Sequence, residues 1–265
     1  VTPTFVKTLR DSGPPGGHPD FFAAEAAGLR WLAEAGAPVV RVISAGEDTI
    51  ELERLEPGRP TREAARDFGA ALARMHDAGA PHFGSPPADS AGTPFSAQLF
   101  IGRRALSSVE YESWGEFYAR ERVEPYLVPA REAGNLTAAD EDAVRDACEL
   151  IAGGVFDDDE GPARIHGDLW NGNVMWTPDG VVMIDPAAHG AHRETDLAML
   201  ALFGCPHLDA IVDGYRDAHP LVSGWQDRVE VHQLHPLAVH AAGHGPGYGS
   251  SLGRAARASS ALARG

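Results

Sequence analysis

The segment His166-Gly167-Asp168-Leu169-Trp170-Asn171-Gly172-Asn173, followed by Ile184-Asp185-Pro186, places three groups suited to phosphoryl transfer in one short window. Asp168 precedes Asn173 at the spacing D-x-x-x-x-N, in which the Asp accepts the proton of an attacking hydroxyl and the Asn helps hold a metal. Between them and Asp185 lie two β-prone runs, 173–177 and 181–185, joined by Pro178-Asp179-Gly180, which has turn chemistry. A simple register sets Thr177 opposite Val181 and Asn173 opposite Asp185, with facing Cα atoms about 4.5–5.5 Å apart. A carboxylate and an amide oxygen so placed suit Mg²⁺, which takes one or two protein oxygens and fills its octahedron with water and nucleotide phosphates. Each fragment alone is ordinary turn chemistry. Together, at these spacings, they predict a catalytic loop and a metal-binding turn.

A cation for the phosphates is predicted at Lys7, the only lysine among 22 basic residues. Arginine serves wherever charge alone matters in such a chain, so the surviving lysine marks a place where the compact ammonium is needed. It lies in the alternating run Thr4–Leu9, a strand context that fits the phosphate-pairing lysine of a kinase. Its partner is expected on the following helix, Asp20–Ala35, which has apolar residues at helical spacing and Gly36 at its end. Glu25 shares the apolar face with Phe21, Phe22, Leu29 and Leu32, whereas Glu34 sits near the solvated end. Glu25 is therefore the expected ion-pair partner of Lys7.

His166–Asn173, Asp185-Pro186-Ala187 and Arg193-Glu194-Thr195-Asp196-Leu197-Ala198-Met199-Leu200-Ala201-Leu202-Phe203-Gly204 resemble the signature of the fructosamine kinase (ketosamine-3-kinase) family, relatives of the aminoglycoside phosphotransferases and choline kinases. The similarity runs from Phe5 to about Tyr248 and is weakest between Pro81 and Arg122. It implies an α+β, two-lobed protein-kinase-like fold, with a small β-rich N-lobe over 1–56 and a large, mainly helical C-lobe over 57–265. It implies ATP and Mg²⁺ as cofactors and a ketosamine as acceptor, phosphorylated at the sugar 3-hydroxyl. Glu51–Leu55 resembles the hinge that meets adenine, with Glu53 and Leu55 as its main-chain contacts. Asp196 is expected to brace the catalytic loop, and His166 is read as a packed, hydrogen-bonded loop residue. Substrate contacts are assigned to His189 and His192, in a stretch where this chain departs from the family pattern. Trp170 is read either as a platform for the substrate or as a wedge between lobes. Phe100-Ile101-Gly102 is a remnant of the family's I-G-x-x-P-Q-x-N pattern. That fold also calls for a Gly-rich hairpin before the lysine strand, so about two strands are expected upstream of Val1.

Alternatives of the same fold are an aminoglycoside or other small-alcohol phosphotransferase, whose polycationic substrate would suit an acidic protein. One from another class is a non-catalytic, nucleotide-binding pseudokinase, opposed by the presence of Asp168, Asn173, Asp185 and Lys7.

A formal net charge of −16 opposes binding to nucleic acid or anionic membranes. No apolar run is long enough for a transmembrane helix. Two distant cysteines, Cys148 and Cys205, predict reduced thiols in a cytoplasmic protein. The loop 11–19 reads as flexible, Thr61 as the cap of a helix through Ala78, and strands are expected over 39–43 and 49–55. Further helices are expected over 113–129, 137–153, 194–203, 209–218 and most of 226–242, the last kinked at Pro236. His232, His235, His240 and His244 do not share a clean helical face, and no metal is assigned to them.

Overall fold

The computed structural model describes residues 3–265. In chain order the elements are β1 (Thr4–Thr8), α1 (Leu9–Ser12), α2 (Phe21–Glu34), β2 (Val42–Ala45), β3 (Thr49–Glu53), α3 (Arg62–Asp77), β4 (Leu99–Ile101) and β5 (Arg104–Leu106). There follow α4 (Trp114–Phe117), a π turn (Tyr118–Val123), a 3₁₀ turn (Glu124–Tyr126), α5 (Leu127–Glu132), α6 (Ala138–Ala152), β6 (Ala163–Ile165), β7 (Val174–Thr177), β8 (Gly180–Met183) and β9 (His189–Ala191). The chain ends with α7 (Glu194–Phe203), α8 (Leu208–Ala218), α9 (Val229–His232), α10 (Leu234–Ala241) and α11 (Pro246–Leu262).

Two compact units form from these elements. The first takes the chain up to Pro81, then Ser85–Ser108 and Ala163–Leu221. Its three-stranded antiparallel sheet has the order β1-β3-β2, with Lys7 opposite Ile50. α2 buries Phe22, Ala26 and Leu29 against Val40, Ile50 and Leu52 of this sheet region, which leaves Glu25 on the same inward face, one turn from both Phe22 and Leu29. A larger core joins Phe68, Leu72 and Met75 of α3 to Val174, Met183, Leu197 and Ile211. α3 and α8 meet backbone to backbone at Gly69, where a Cβ would fall 1.9 Å from the Ile211 carbonyl oxygen. The β7–β8 hairpin is tied to the end of α2 by Met183 N–H to Pro38 O (2.7 Å) and Val40 N–H to Met183 O (3.0 Å). Packing alone therefore draws no line at residue 56.

The second unit comprises 82–84, Val109–Pro162 and Val222–Gly265. The single helix expected over 113–129 is broken into α4, the π and 3₁₀ turns and α5. The helix expected over 226–242 parts at Gln233 into α9 and α10. Pro236 has no N–H to give the His232 carbonyl, and the buried Tyr118 hydroxyl takes over that acceptor at 2.7 Å while accepting from His235 N–H at 3.0 Å. The Ala/Arg/Ser-rich tail is helical in α11, which buries Leu252, Ala255 and Ala256.

Other expectations shift by a few residues. β2 begins at Val42, and Val39 instead bridges to Met183 in the hairpin. The loop after Lys7 starts with a short helix capped by Thr8, whose hydroxyl accepts from Asp11 N–H. Thr61 caps α3 as its position implies, accepting from Ala64 N–H at 3.2 Å. Cys148 is buried within α6, while Cys205 lies in the connection after α7; both are free thiols. No helix among the described residues is long and apolar enough to cross a membrane.

Candidate active site

A cleft of about 320 Å³ in the first unit is lined by Lys7, Glu25, Asp168, Trp170, Asn173 and Asp185, together with Phe21, Phe100 and Arg103. Four segments deliver the charged groups: β1 brings Lys7, α2 brings Glu25, the β4–β5 turn brings Arg103, and the stretch from the end of β6 to just after β8 brings Asp168 and Asp185. Lys7 Nζ lies 2.8 Å from Glu25 Oε1 and also forms an ion pair with Asp185 Oδ1. Burial by itself would lower the lysine's pKa, but the two carboxylates outweigh it and hold the pKa above its ordinary value. The ammonium therefore stays charged.

The hairpin register is one residue away from the sequence expectation. Thr177 pairs with Gly180 and Val174 with Met183, so Asn173 faces Ile184, whose N–H donates to the Asn173 carbonyl at 3.1 Å, and not Asp185. Only Pro178 and Asp179 form the connection; Gly180 is the first residue of the returning strand. Asp185 reaches the site by another device, a left-handed backbone at φ 55 immediately after the pairing ends. That conformation is uncommon for a residue with a Cβ and turns the carboxylate into the cleft.

Asn173 Nδ2 donates to the Asp168 carbonyl at 2.8 Å and to Asp168 Oδ2 at 3.1 Å, and is 3.5 Å from the Asp185 carbonyl oxygen. With its nitrogen committed to the loop, the amide offers its oxygen to a cation. One carboxylate that is 42 % exposed and one amide oxygen make a hard-oxygen donor set that fits Mg²⁺. Asp168 is half-buried, and burial pushes its carboxyl up to about 8; the Asn173 hydrogen bond opposes the shift and the nearby Asp185 and Asp196 add to it.

The loop that carries Asp168 is held from behind. Asp196, fully buried at the start of α7, accepts from His166 N–H (2.8 Å), Gly167 N–H (3.0 Å) and His76 Nε2 (3.1 Å). Burial alone would raise its pKa, but these partners hold it below the usual carboxylate range. His166 Nδ1 accepts from Asp168 N–H at 3.2 Å, so its proton is on Nε2, which donates to the Ile184 carbonyl at 2.9 Å. Burial keeps this imidazole neutral. A single ring thus joins the loop before Asp168 to the strand before Asp185. His76, which was not among the expected site residues, continues the brace to the Tyr215 hydroxyl at 2.8 Å. Its only advance signal is its position on the buried face of α3, four residues after Leu72.

Trp170 lies at the cleft with 40 % of its surface exposed and its ring edge against Phe203. Its indole covers Gly172 so closely that a Cβ there would stand 2.2 Å from the ring. His189 and His192 correct the sequence expectation. Both are 2 % exposed and neither lines the cleft. Strand β9 pairs His189 with Ile165 and turns it inward, where Nδ1 meets the Ala187 carbonyl at 2.7 Å, and His192 Nδ1 accepts from Glu194 N–H at 3.2 Å.

A second cavity of about 300 Å³, lined by Phe5, Val40, Leu52, Glu53, Leu55 and Ile184, shares Lys7 and Asp185 with the cleft. Glu53 N–H is already given to the Arg41 carbonyl at 2.9 Å, which leaves its own carbonyl as the group to offer. The β4–β5 hairpin also borders the cleft. Phe100 packs edge-on to Phe21 at 5.2 Å and to His18 at 5.1 Å, and brings Gly102 and Arg103 to the cleft. The readable signal was the pair Gly102-Arg103 between two short apolar runs, a two-residue hairpin turn.

A family model described as fructosamine kinase matches residues 2–258. The chain belongs to the fructosamine kinase family. Among its relatives, an Enterococcus faecium protein named "Probable ketoamine kinase" is 32% identical over 237 residues, which is 88% of this chain and 80% of that protein. The Mus musculus ketosamine-3-kinase is 34% identical over 144 residues, 53% of this chain and 45% of the mouse protein. A Thermobifida fusca crystal structure described as "putative fructosamine-3-kinase" superposes with a TM-score of 0.88 at 45% identity, over 97% of this chain and 85% of that one. The fold extends to an aminoglycoside phosphotransferase, TM-score 0.55 at 15% identity over 91% of this chain and 84% of the other. The fructosamine kinase family thus shares with this phosphotransferase the α+β, protein-kinase-like fold that the family resemblance implied, and its members are ATP-dependent phosphotransferases.

Proposed function

We propose that this chain transfers the γ-phosphoryl group of ATP to the 3-hydroxyl of a ketosamine, a fructosamine or ribulosamine adduct of an amine or of a protein lysine. The observation that carries the reading is the convergence of Asp168, Asn173, Asp185 and the Lys7–Glu25 pair on one cleft in a member of the fructosamine kinase family. Residues 1–56 act as the nucleotide-side lobe and 57–265 as the lobe that carries the catalytic loop.

Leu55 N–H and the Glu53 carbonyl meet the base, and Phe5, Val40 and Leu52 give it apolar walls. Lys7 meets the phosphates, kept in place by Glu25 and Asp185. Asn173 and Asp185 would hold Mg²⁺, which when bound supplies neutralisation of phosphate charge. Asp168 takes the proton of the acceptor hydroxyl as its oxygen bonds to the γ-phosphorus and the bond to the bridging oxygen breaks. Asp196 and His166 fix the loop so that little reorganisation is needed. The same reading puts the protein in the cytoplasm, supported by the free thiols of Cys148 and Cys205.

The position of transfer is tested by ³¹P–¹H correlation NMR of the product formed from fructosamine and ATP. Coupling of the new phosphate to the proton on C3 is expected; coupling to C4, C5 or C6 protons would reject the 3-hydroxyl.

A further inference from the structure

We infer that Arg103 reads a carboxylate on the amine half of the acceptor, so that the preferred substrates are ketosamines of free α-amino acids. This inference rests on the proposed ketosamine kinase activity and names the substrate class within it.

Two cationic side chains line the cleft, and they differ in what already engages them. Lys7 is committed to Glu25 and Asp185. Arg103 donates one Nη2 hydrogen bond to the Asp11 carbonyl at 2.7 Å and has no carboxylate partner among the described residues. A guanidinium carries five donors in a rigid fork, so most of its capacity is unspent.

Arg103 is also held in place. It occupies the second position of the two-residue β4–β5 turn, after Gly102 at φ 51. The Gln98 side chain closes the base of that hairpin by donating to the Leu99 and Leu106 carbonyls at 2.8 and 3.0 Å. Phe100, between Phe21 and His18, seats the hairpin on the segment that starts α2. The tether to Asp11 then fixes one side of the guanidinium and leaves the other for a ligand.

Location separates an acceptor group from a nucleotide phosphate. The cavity with Leu55 and Leu52 shares only Lys7 and Asp185 with the cleft; Arg103 and Trp170 line the cleft and not that cavity, and Arg103 also borders a surface hollow formed with Leu9, Pro14 and Asp48. An anion met by Arg103 is therefore on the side of Trp170, not of the nucleotide base. The chain's formal charge of −16 repels anionic substrates at a distance, which makes a fixed cation at the cleft the local means of choosing one. A polycationic acceptor would meet repulsion at the same residue. A ketosamine on a protein lysine carries no carboxylate next to its amine, whereas one on an α-amino acid does.

The test compares the fructose adducts of glycine and of glycinamide, equal in shape and different in charge, at saturating Mg·ATP. Wild-type protein is expected to favour the glycine adduct by about tenfold or more in kcat/KM, the scale of one charge-assisted pair. Arg103→Gln should bring that ratio close to one, and Arg103→Glu should invert it, a change of preference that loss of folding cannot mimic. Equal wild-type kcat/KM for the two adducts overturns the inference alone. So does an Arg103→Gln defect that raises KM for ATP and affects both adducts alike, which would make Arg103 a phosphate contact. No wild-type turnover of either adduct overturns the proposed function, and this inference with it.

Discussion

Lys7 Nζ stands 2.8 Å from Glu25 Oε1 and is ion-paired with Asp185, so the chain's one lysine joins α2 to the end of the β7–β8 hairpin. An ammonium meets both carboxylates from a single atom, whereas a planar guanidinium spreads its donors over a wider fork and would displace one of them. Lys7→Arg is therefore expected to lower kcat/KM for ATP by at least about 10²-fold, nearly as much as Lys7→Ala, with Glu25→Ala giving a milder loss of about tenfold. Steady-state kinetics on the three variants checks this; a Lys7→Arg enzyme close to wild type would make the lysine's chemistry irrelevant.

Asp168 gives a prediction about pH. In the folded protein free of nucleotide and cation its carboxyl is raised from 3.8 to about 8, so that form, as distinct from the loaded site in which Asp168 acts as base, favours the protonated carboxyl. The stability it contributes is complete below about pH 4 and is lost as the pH rises toward about 8, because the unfolded chain releases the proton first. Asp168→Asn should therefore melt higher than wild type near pH 8 in the absence of nucleotide, with the gap closing toward pH 4. The same variant should lose at least about 10²-fold in kcat while keeping nucleotide affinity. Thermal melts across pH test the first half: a wild-type protein that gains on Asp168→Asn as pH rises contradicts the raised pKa.

Asp185 and Asn173 offer a charged and a neutral oxygen to the same cation. Asp185→Ala should weaken Mg²⁺-dependent ATP binding more than Asn173→Ala, by an additional factor of about ten. Calorimetric titration of Mg·ATP into each variant reads the difference, and intact binding in both would remove the metal role from the hairpin.

The brace behind the loop has its own signature. His76→Ala leaves the buried Asp196 carboxylate one donor short and the Tyr215 hydroxyl without its acceptor, at a cost of about 2–4 kcal/mol. Urea unfolding of the variant measures it, and a loss under about 0.5 kcal/mol would show the contact to be incidental.

The residues that touch charge were legible in the sequence, because their types are rare or their spacing is fixed by local backbone. Asp168, Asn173 and Asp185 lie within one loop and hairpin, and Lys7 stood out by composition. What was lost was register and inward turning. Whether Gly180 belongs to the turn or the strand decides which residue faces Asn173, and no letter in Pro178-Asp179-Gly180 settles it. His189 and His192 read as polar and available, yet pairing of β9 with β6 turns His189 inward, and His192, just past the end of β9, is equally buried. His76 and Arg103 come from α3 and a short hairpin far along the chain, and only tertiary packing brings them to the site. The break between α9 and α10 was anticipated from Pro236, but the hydroxyl of Tyr118 that fills it was not visible.

The most direct measurement is the initial rate of ADP formation by the wild-type protein with a panel of acceptors at equal concentration, fructosamine and ribulosamine adducts against an aminoglycoside and choline, with Asp168→Asn as the blank. Phosphorylation of the ketosamines with kcat/KM at least about 10²-fold above the other acceptors, and its loss in Asp168→Asn, is the predicted result. Transfer to the aminoglycoside or choline at a comparable rate, or no acceptor-dependent ADP formation above the blank, would contradict the ketosamine kinase assignment.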